Sequence, residues 1–167
     1  MSLDDYIAGP NGEADWIIMD PDIDFGALFD QFDTFLVGRR TFEGMAGAGG
    51  GGQPGVQTIV FSRTLRQRDY PNLTIVSENA EQALADLRAK PGKDIWLFGG
   101  GSLFRSLLEA RLMDAVEVSV IPVLLGEGIS LLPREPSSER FKLKLASSGM
   151  FKTGIVSLEY AVEHEPA

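Results

Sequence analysis

The 167-residue chain has no cysteine and one histidine, His164, set in a polar tail. The absence of cysteine excludes disulfides, thiolate catalysis and Cys-ligated zinc. With no imidazole near apolar sequence to hold it in place, a metal-ligand cluster or a Ser-His-Asp arrangement is disfavoured too. Basic residues are also scarce, with 15 Lys and Arg against 24 Asp and Glu and a formal charge of −9. That balance argues against a nucleic-acid surface, while leaving local phosphate binding open. No apolar run reaches membrane-spanning length and no signal peptide is present, so a soluble cytoplasmic protein is expected. The length fits a single domain, residues 1–167, with a substantial core, and no internal repeat or linker interrupts it.

The most informative stretch is residues 94–104, D-I-W-L-F-G-G-G-S-L-F. Ile95 to Phe98 form an apolar run of strand length, which predicts a strand buried on both faces and central in a sheet. Gly99, Gly100 and Gly101 follow, then Ser102 as a helix N-cap and Leu103, Phe104, Leu107 and Leu108 at helical spacing. Glycines at such a junction admit a ligand to the backbone, and the first helical N–H groups carry the positive end of the macrodipole. The chemistry is that of an anion site, usually for phosphate. A tight strand-to-helix turn would read the same way.

Earlier in the chain, Tyr6-Ile7-Ala8 is a short strand end running into the Gly9-Pro10-Asn11-Gly12 turn. Either Met1 is internal to a longer chain or this first strand is unusually short. Asp20-Pro21 predicts a helix from Pro21 to Phe32, with Phe25, Leu28, Phe29 and Phe32 as its core stripe. Asp22 and Asp24 flank that stripe, serving the helix dipole or, beside phenylalanines in a cleft, delivering protons. Thr34 to Val37 is a second strand, followed by Gly38, Arg39, Arg40 and Thr41, which repeat the anion-site pattern with side-chain charge added. A solvated basic pair is the plainer alternative.

Gly47, Gly49 and Gly52 match G-x-G-x-x-G in form, but no strand precedes them and no helix follows, so residues 46–55 are expected to be a mobile loop. Residues 57–61 form a third strand, ended by Ser62 and Arg63, which suit either a phosphate monoester or a plain turn. Residues 73–76 give a fourth strand, and Asn79 with Gln82 resembles a capping box for the next helix. Residues 115–121 alternate as a strand, and residues 141–146 and 155–162 read as an antiparallel pair joined through Ser147-Ser148-Gly149 and Lys152-Thr153-Gly154. The order implies an α/β fold with a mixed, mostly parallel sheet, helices on both faces and a C-terminal antiparallel hairpin.

Four segments in this order resemble the dihydrofolate reductase superfamily: S-L-D-D-Y-I-A with G-P-N-G and Trp16, F-L-V-G-R-R-T-F-E, T-I-V-F-S-R, and I-W-L-F-G-G-G-S-L-F. The opening segment and V-I-P-V-L-L-G-E-G are more similar to the reductase half of the riboflavin-biosynthesis deaminase-reductase and its stand-alone relatives. That resemblance implies an NADPH-dependent reductase, usually a homodimer, acting on a small heterocycle: a ribosylaminopyrimidine first, dihydrofolate or another oxidised heterocycle second. A non-catalytic NADPH-binding regulatory protein is the rival of a different class. By position, Gly38, Arg39, Arg40 and Thr41 would lie along the cofactor phosphates and Ser62 and Arg63 near the 2′-phosphate. Gly99, Gly100, Gly101 and Ser102 would cradle the pyrophosphate, with Leu103 in the same set, and Ser2 to Ala8 would back the nicotinamide. The proton-handling carboxylate falls on Asp24, with Asp22 its rival.

The sequence also departs from the family. Asp5 stands where a glycine usually follows Leu-Asp, so either a changed turn or a crowded cofactor pocket is expected. Neither H-x-E nor P-C-x-x-C occurs, so no deaminase half is expected. The histidine- and arginine-bearing helix of the riboflavin enzymes is missing as well.

Overall fold

The computed structural model describes residues 1–47, 55–134 and 140–164. Its first elements are β1 (Tyr6–Ala8), α1 (Phe25–Phe29), β2 (Phe32–Gly38), α2 (Arg39–Gly47), β3 (Gln57–Phe61) and β4 (Thr74–Val76). They are followed by α3 (Ala80–Arg88), β5 (Asp94–Gly99), α4 (Gly101–Glu109), β6 (Ala115–Val120), β7 (Ile129–Ser130), β8 (Lys142–Met150) and β9 (Val156–Glu163). The glycine-rich segment expected to be a loop lies for the larger part, residues 48–54, outside the described residues. No helix among the described residues is long and apolar enough to cross a membrane.

Two compact units are present: Asp24–Ser106 is one, and Met1–Ile23 with the chain from Leu107 onward is the other. In the first, four parallel strands run in the order β4-β3-β2-β5. β2 is paired on both sides and buries Thr34, Phe35, Leu36 and Val37, because a parallel strand between two neighbours needs apolar residues on both faces. The register sets Leu36 beside Ile59 and Leu97, and Phe35 beside Trp96. Phe35, Val37, Phe42 and Val60 form the buried centre of this unit, packed by Phe29, Trp96 and Tyr70 among others. Chain order runs outward from β2 to β4 and then returns to place β5 on the far side of β2.

Several sequence expectations are corrected here. β5 is the edge of its sheet rather than its centre; Ile95, Trp96 and Leu97 are only half-buried and Phe98 is 37% exposed. The first helix begins at Phe25, not Pro21, and is capped by Asp24, whose carboxylate accepts from the Ala27 N–H at 3.0 Å. Asp20 cannot cap it because Asp20 is buried and accepts from Asp22 N (2.8 Å) and from Thr153 Oγ1 (2.7 Å) and N (3.2 Å). Phe32 accordingly opens β2 rather than closing the helical stripe. Asn79 sits in the left-handed region with φ 53 and makes no capping bond, while Gln82 donates to Asp86 instead. Ser102 lies inside α4, which starts at Gly101.

In the second unit β6, β9 and β8 form an antiparallel sheet and β1 pairs with β7. β8 continues through Ser147-Ser148-Gly149 as strand, with a register shift between Leu145 and Ser147, so only residues 151–154 make the turn. Asp4 accepts from the N–H groups of Leu125 (3.1 Å) and Gly126 (2.7 Å). These contacts, Gly126 foremost and then Ser2, hold its carboxyl down at about 2. The folded value lies below the unfolded one of ~3.9, so this contribution is complete at higher pH and is lost as pH falls through about 2.

Asp5 adopts φ 77, the glycine-type conformation, so the turn is kept without its glycine and the side chain stays exposed. Partial desolvation by its neighbours and then the Asp4 charge raise its pKa. Asp5→Gly should therefore stabilise the protein by about 0.5–1 kcal/mol, the relief of the left-handed side chain outweighing the added unfolded-state freedom. Urea unfolding with an unchanged or lower midpoint would contradict this.

Candidate functional site

The carboxyl ends of β2 and β5 lie side by side, Val37 in register with Gly99, at the point where chain order reverses across the sheet. Ligands of open parallel sheets bind outside such a reversal. Two helices start there: α2 at Arg39 directly after β2, and α4 at Gly101 after the glycine turn. The Gly99-Gly100 peptide is cis. A Cβ on Gly38 would stand 3.6 Å from both Gly100 N and Gly99 O, which brings the two turns into contact. Thr41, in the first turn of α2, closes against the glycines: Cβ atoms at Gly99 and Gly100 would meet its side chain at 3.1 and 3.2 Å.

The first helical bond of α4 in this turn runs from Phe104 N to Gly100 O, so the N–H groups of Gly101, Ser102 and Leu103 precede the regular helical ladder. Those of Arg39, Arg40 and Thr41 stand equivalently at the start of α2. Two positive dipole ends therefore converge on one glycine-lined spot. Arg39 and Arg40 are exposed; Arg39 pairs with Glu43 at 3.3 Å one turn along, a surface contact worth little by itself. Gly38, Arg39, Arg40, Thr41 and Gly99 to Leu103 are thus brought together by the fold.

The end of β3 is set beside Gly38 by the Gly38–Phe61 pairing. There Ser62 is buried and its Oγ accepts from the N–H groups of Thr64 (3.2 Å) and Leu65 (3.0 Å), fixing the turn that presents Arg63 to solvent. The same Oγ also lies 3.4 Å from the Thr64 hydroxyl, in a contact where either oxygen can donate.

The remaining predicted residues are placed differently. Asp24 caps α1, so its carboxylate is already an acceptor for the helix. Asp22 belongs to the other unit and accepts from Lys152 Nζ at 2.9 Å in an exposed ion pair. Ala8 lies on β1 of that unit, where its carbonyl faces Gly128. Sequence reasoning missed the aromatic array beside the glycine turn. Phe98 packs against Trp96 (5.2 Å) and Phe35 (5.7 Å), and Phe29 bridges Trp96 (5.6 Å) to Phe25 (6.2 Å). Its signal was the alternation of Trp96 and Phe98 on one face of a strand.

The arrangement therefore joins two helix starts at a glycine turn, with an exposed arginine after the neighbouring strand and an aromatic array next to the same turn, a set of groups that could take an anion. Among the described residues no group of acidic or histidine side chains could hold a metal.

Comparison with known proteins agrees with this architecture. The family model for the RibD C-terminal domain matches residues 1–157. YyaP of Bacillus subtilis is 35% identical over 179 residues, spanning 96% of this chain and 90% of its own. YwjB of the same organism is 28% identical over 157 residues, spanning 86% and 85%. Among solved structures, a candidate riboflavin biosynthesis protein from Shewanella sp. PV-4 superposes with TM-score 0.82 at 25% identity, covering 98% of this chain and 96% of its own.

Two further structures show the fold alone. The diaminohydroxyphosphoribosylaminopyrimidine deaminase/5-amino-6-(5-phosphoribosylamino)uracil reductase of Thermotoga maritima gives TM-score 0.70 at 17% identity over 97% of this chain and 54% of that one. Dihydrofolate reductase from Enterococcus faecalis, complexed with NADP(H), gives 0.66 at 22% over 98% and 94%. With its dihydrofolate reductase-like fold and a match over nearly all its length, the chain belongs to the RibD C-terminal domain family.

Proposed function

We propose that the chain is an NADPH-dependent reductase of a pyrimidine-type heterocycle, a reading supported by its RibD C-terminal domain family and by the uracil reductase in the Thermotoga protein's name. The observation that carries this reading is the convergence of two helix starts, Arg39 and Gly101, on the contact between Gly38 and the Gly99-Gly100 turn. A pyrophosphate needs this kind of seat: glycines that let it reach the backbone, and N–H donors aimed at it. The residues therefore fit the cofactor. Gly99 to Leu103 and Gly38 to Thr41 would hold its phosphates, and Ser62 and Arg63 its 2′-phosphate. Once bound, the nicotinamide supplies hydride, and the protein's part is to orient it, exclude water and provide a proton.

Arg63 tests the assignment, because only NADPH carries the 2′-phosphate. Arg63→Ala is expected to weaken NADPH by roughly tenfold or more, on the order of a lost charge-assisted hydrogen bond, and to leave NADH affinity nearly unchanged. Equal losses for both dinucleotides, read by fluorescence titration, would remove Arg63 from the site.

A further inference from the structure

The sequence contains one Asn-Gly pair, Asn11-Gly12, in the turn that follows β1; Asn72 and Asn79 precede Leu73 and Ala80 instead. Glycine after asparagine is chemically distinctive, because without a Cβ its backbone nitrogen can approach the preceding side-chain carbonyl closely. Once solvent hydroxide has taken its proton, the Gly12 nitrogen attacks Asn11 Cγ. The N–Cγ bond forms and the Cγ–Nδ2 bond breaks, and the departing group takes a proton from water, leaving as ammonia and regenerating hydroxide. Water then opens the cyclic imide at either carbonyl, giving aspartate or isoaspartate.

Asn11, Gly12 and Glu13 are exposed, so water reaches all three. Both reacting groups are nevertheless held. Gly12 N donates to Gly9 O at 3.0 Å, which engages the nucleophile. Asn11 Nδ2 donates to Glu13 Oε1 at 2.7 Å and Asn11 N donates to Oε2 at 2.9 Å, so one carboxylate fixes both side chain and backbone of the residue under attack. The Glu13 carbonyl ties the same turn, accepting from Gly9 N at 2.8 Å and from Trp16 Nε1 at 3.1 Å. The carboxylate also lies over Gly9, where an added Cβ would strike Oε2. Asn11 foremost holds the Glu13 carboxyl below its ordinary range, which keeps it ionised at neutral pH.

We infer that Asn11-Gly12 is a site of spontaneous deamidation, that Glu13 is the latch that keeps the reaction slow in the folded protein, and that reaction at Asn11 opens the turn. The product carries a carboxylate where Nδ2 now donates, so a donor is lost and two like charges face each other. Isoaspartate also inserts a methylene into the main chain of a turn closed by the Gly12–Gly9 and Gly9–Glu13 bonds. This inference is independent of the reductase reading.

The chain is incubated in mildly alkaline buffer, folded and in urea, and deamidation at each asparagine is followed by peptide mass mapping and isoaspartyl methyltransferase labelling. Asn72 and Asn79 are internal standards for general unfolding. Folded wild type should react at Asn11 more slowly than the chain in urea. Glu13→Ala should speed the folded reaction by about tenfold, the scale of losing two exposed hydrogen bonds to one carboxylate. Glu13→Gln, which changes a single atom, should give an intermediate rate confined to Asn11. Hydrogen exchange at Gly9 N reads the turn itself: Asn11→Asp should speed it by a similar factor, and adding Glu13→Gln to Asn11→Asp, which restores a donor opposite the new carboxylate, should slow it again.

A folded wild type that deamidates at Asn11 as fast as the chain in urea would overturn the inference. So would a Glu13→Gln rate equal to wild type, acceleration shared by Asn72 and Asn79 in both Glu13 variants, or Gly9 exchange unchanged in Asn11→Asp.

Discussion

Gly100→Val should abolish NADPH binding, with at least a hundredfold loss of affinity and no NADPH-induced rise in melting temperature. The reason is local crowding. A Cβ at this position already lies 3.2 Å from Thr41 Oγ1, and the valine methyl groups would occupy the space in which the two helix starts meet. Saturating ligand at a hundred times its Kd stabilises the native state by about 2.7 kcal/mol, so losing that increment is readily measured by thermal unfolding. Gly100→Ala keeps the crowding to a few tenths of an ångström and should show a smaller loss, which separates a blocked seat from a misfolded chain. Unchanged affinity in Gly100→Val would move the dinucleotide away from this turn.

The second large effect concerns stability alone. Gly128→Val would place a Cβ 2.3 Å from the Ala8 carbonyl and 3.1 Å from the Tyr6 ring. Both contacts lie on β1, whose short pairing with β7 begins at Ile129. Backbone cannot yield as a flexible side chain does, so the two strands must separate. The cost should be about 3 kcal/mol, at the upper end of overpacking. Gly149 in β8 is the control, because a Cβ there meets nothing within 4 Å. Gly149→Ala should leave the urea midpoint nearly unaltered. A near-neutral Gly128→Val would mean that β1 and β7 are not held together as described.

The parts of the fold legible in the sequence are those set by local periodicity. Thr34 to Val37 and Thr58 to Val60 are apolar runs that a parallel sheet buries on both faces, and three glycines before Leu103 and Phe104 can only be a strand-to-helix junction. The parts misread are those decided by distant partners. Asp20-Pro21 has the pattern of a helix start, yet Asp20 is drawn to Thr153, 133 residues later, and the cap passes to Asp24. Residues 147–149 read as a turn, but their pairing with Ser157, Leu158 and Glu159 of β9 keeps them in the strand.

β5 illustrates a subtler ambiguity. Its unbroken apolar run suits a buried central strand and a half-buried edge strand equally well, and periodicity cannot separate the two. The meeting of the two glycine turns was legible where it is built from backbone, at Gly38 and at Gly99 to Gly101, because glycine followed by a helix start marks such a junction in the sequence. The exposure of Phe98 was not legible, since what covers a single ring depends on the rest of the chain.

The most direct measurement is thermal unfolding of the wild-type chain with NADPH, with NADH and with neither. A ligand that binds only the native state raises its stability by mass action. The structure predicts a clear rise in melting temperature with NADPH, a smaller one or none with NADH, and dependence of the NADPH shift on Arg63. No shift with either dinucleotide at millimolar concentration would contradict the assignment of the Gly38 and Gly99-Gly100 contact as a nicotinamide dinucleotide phosphate seat.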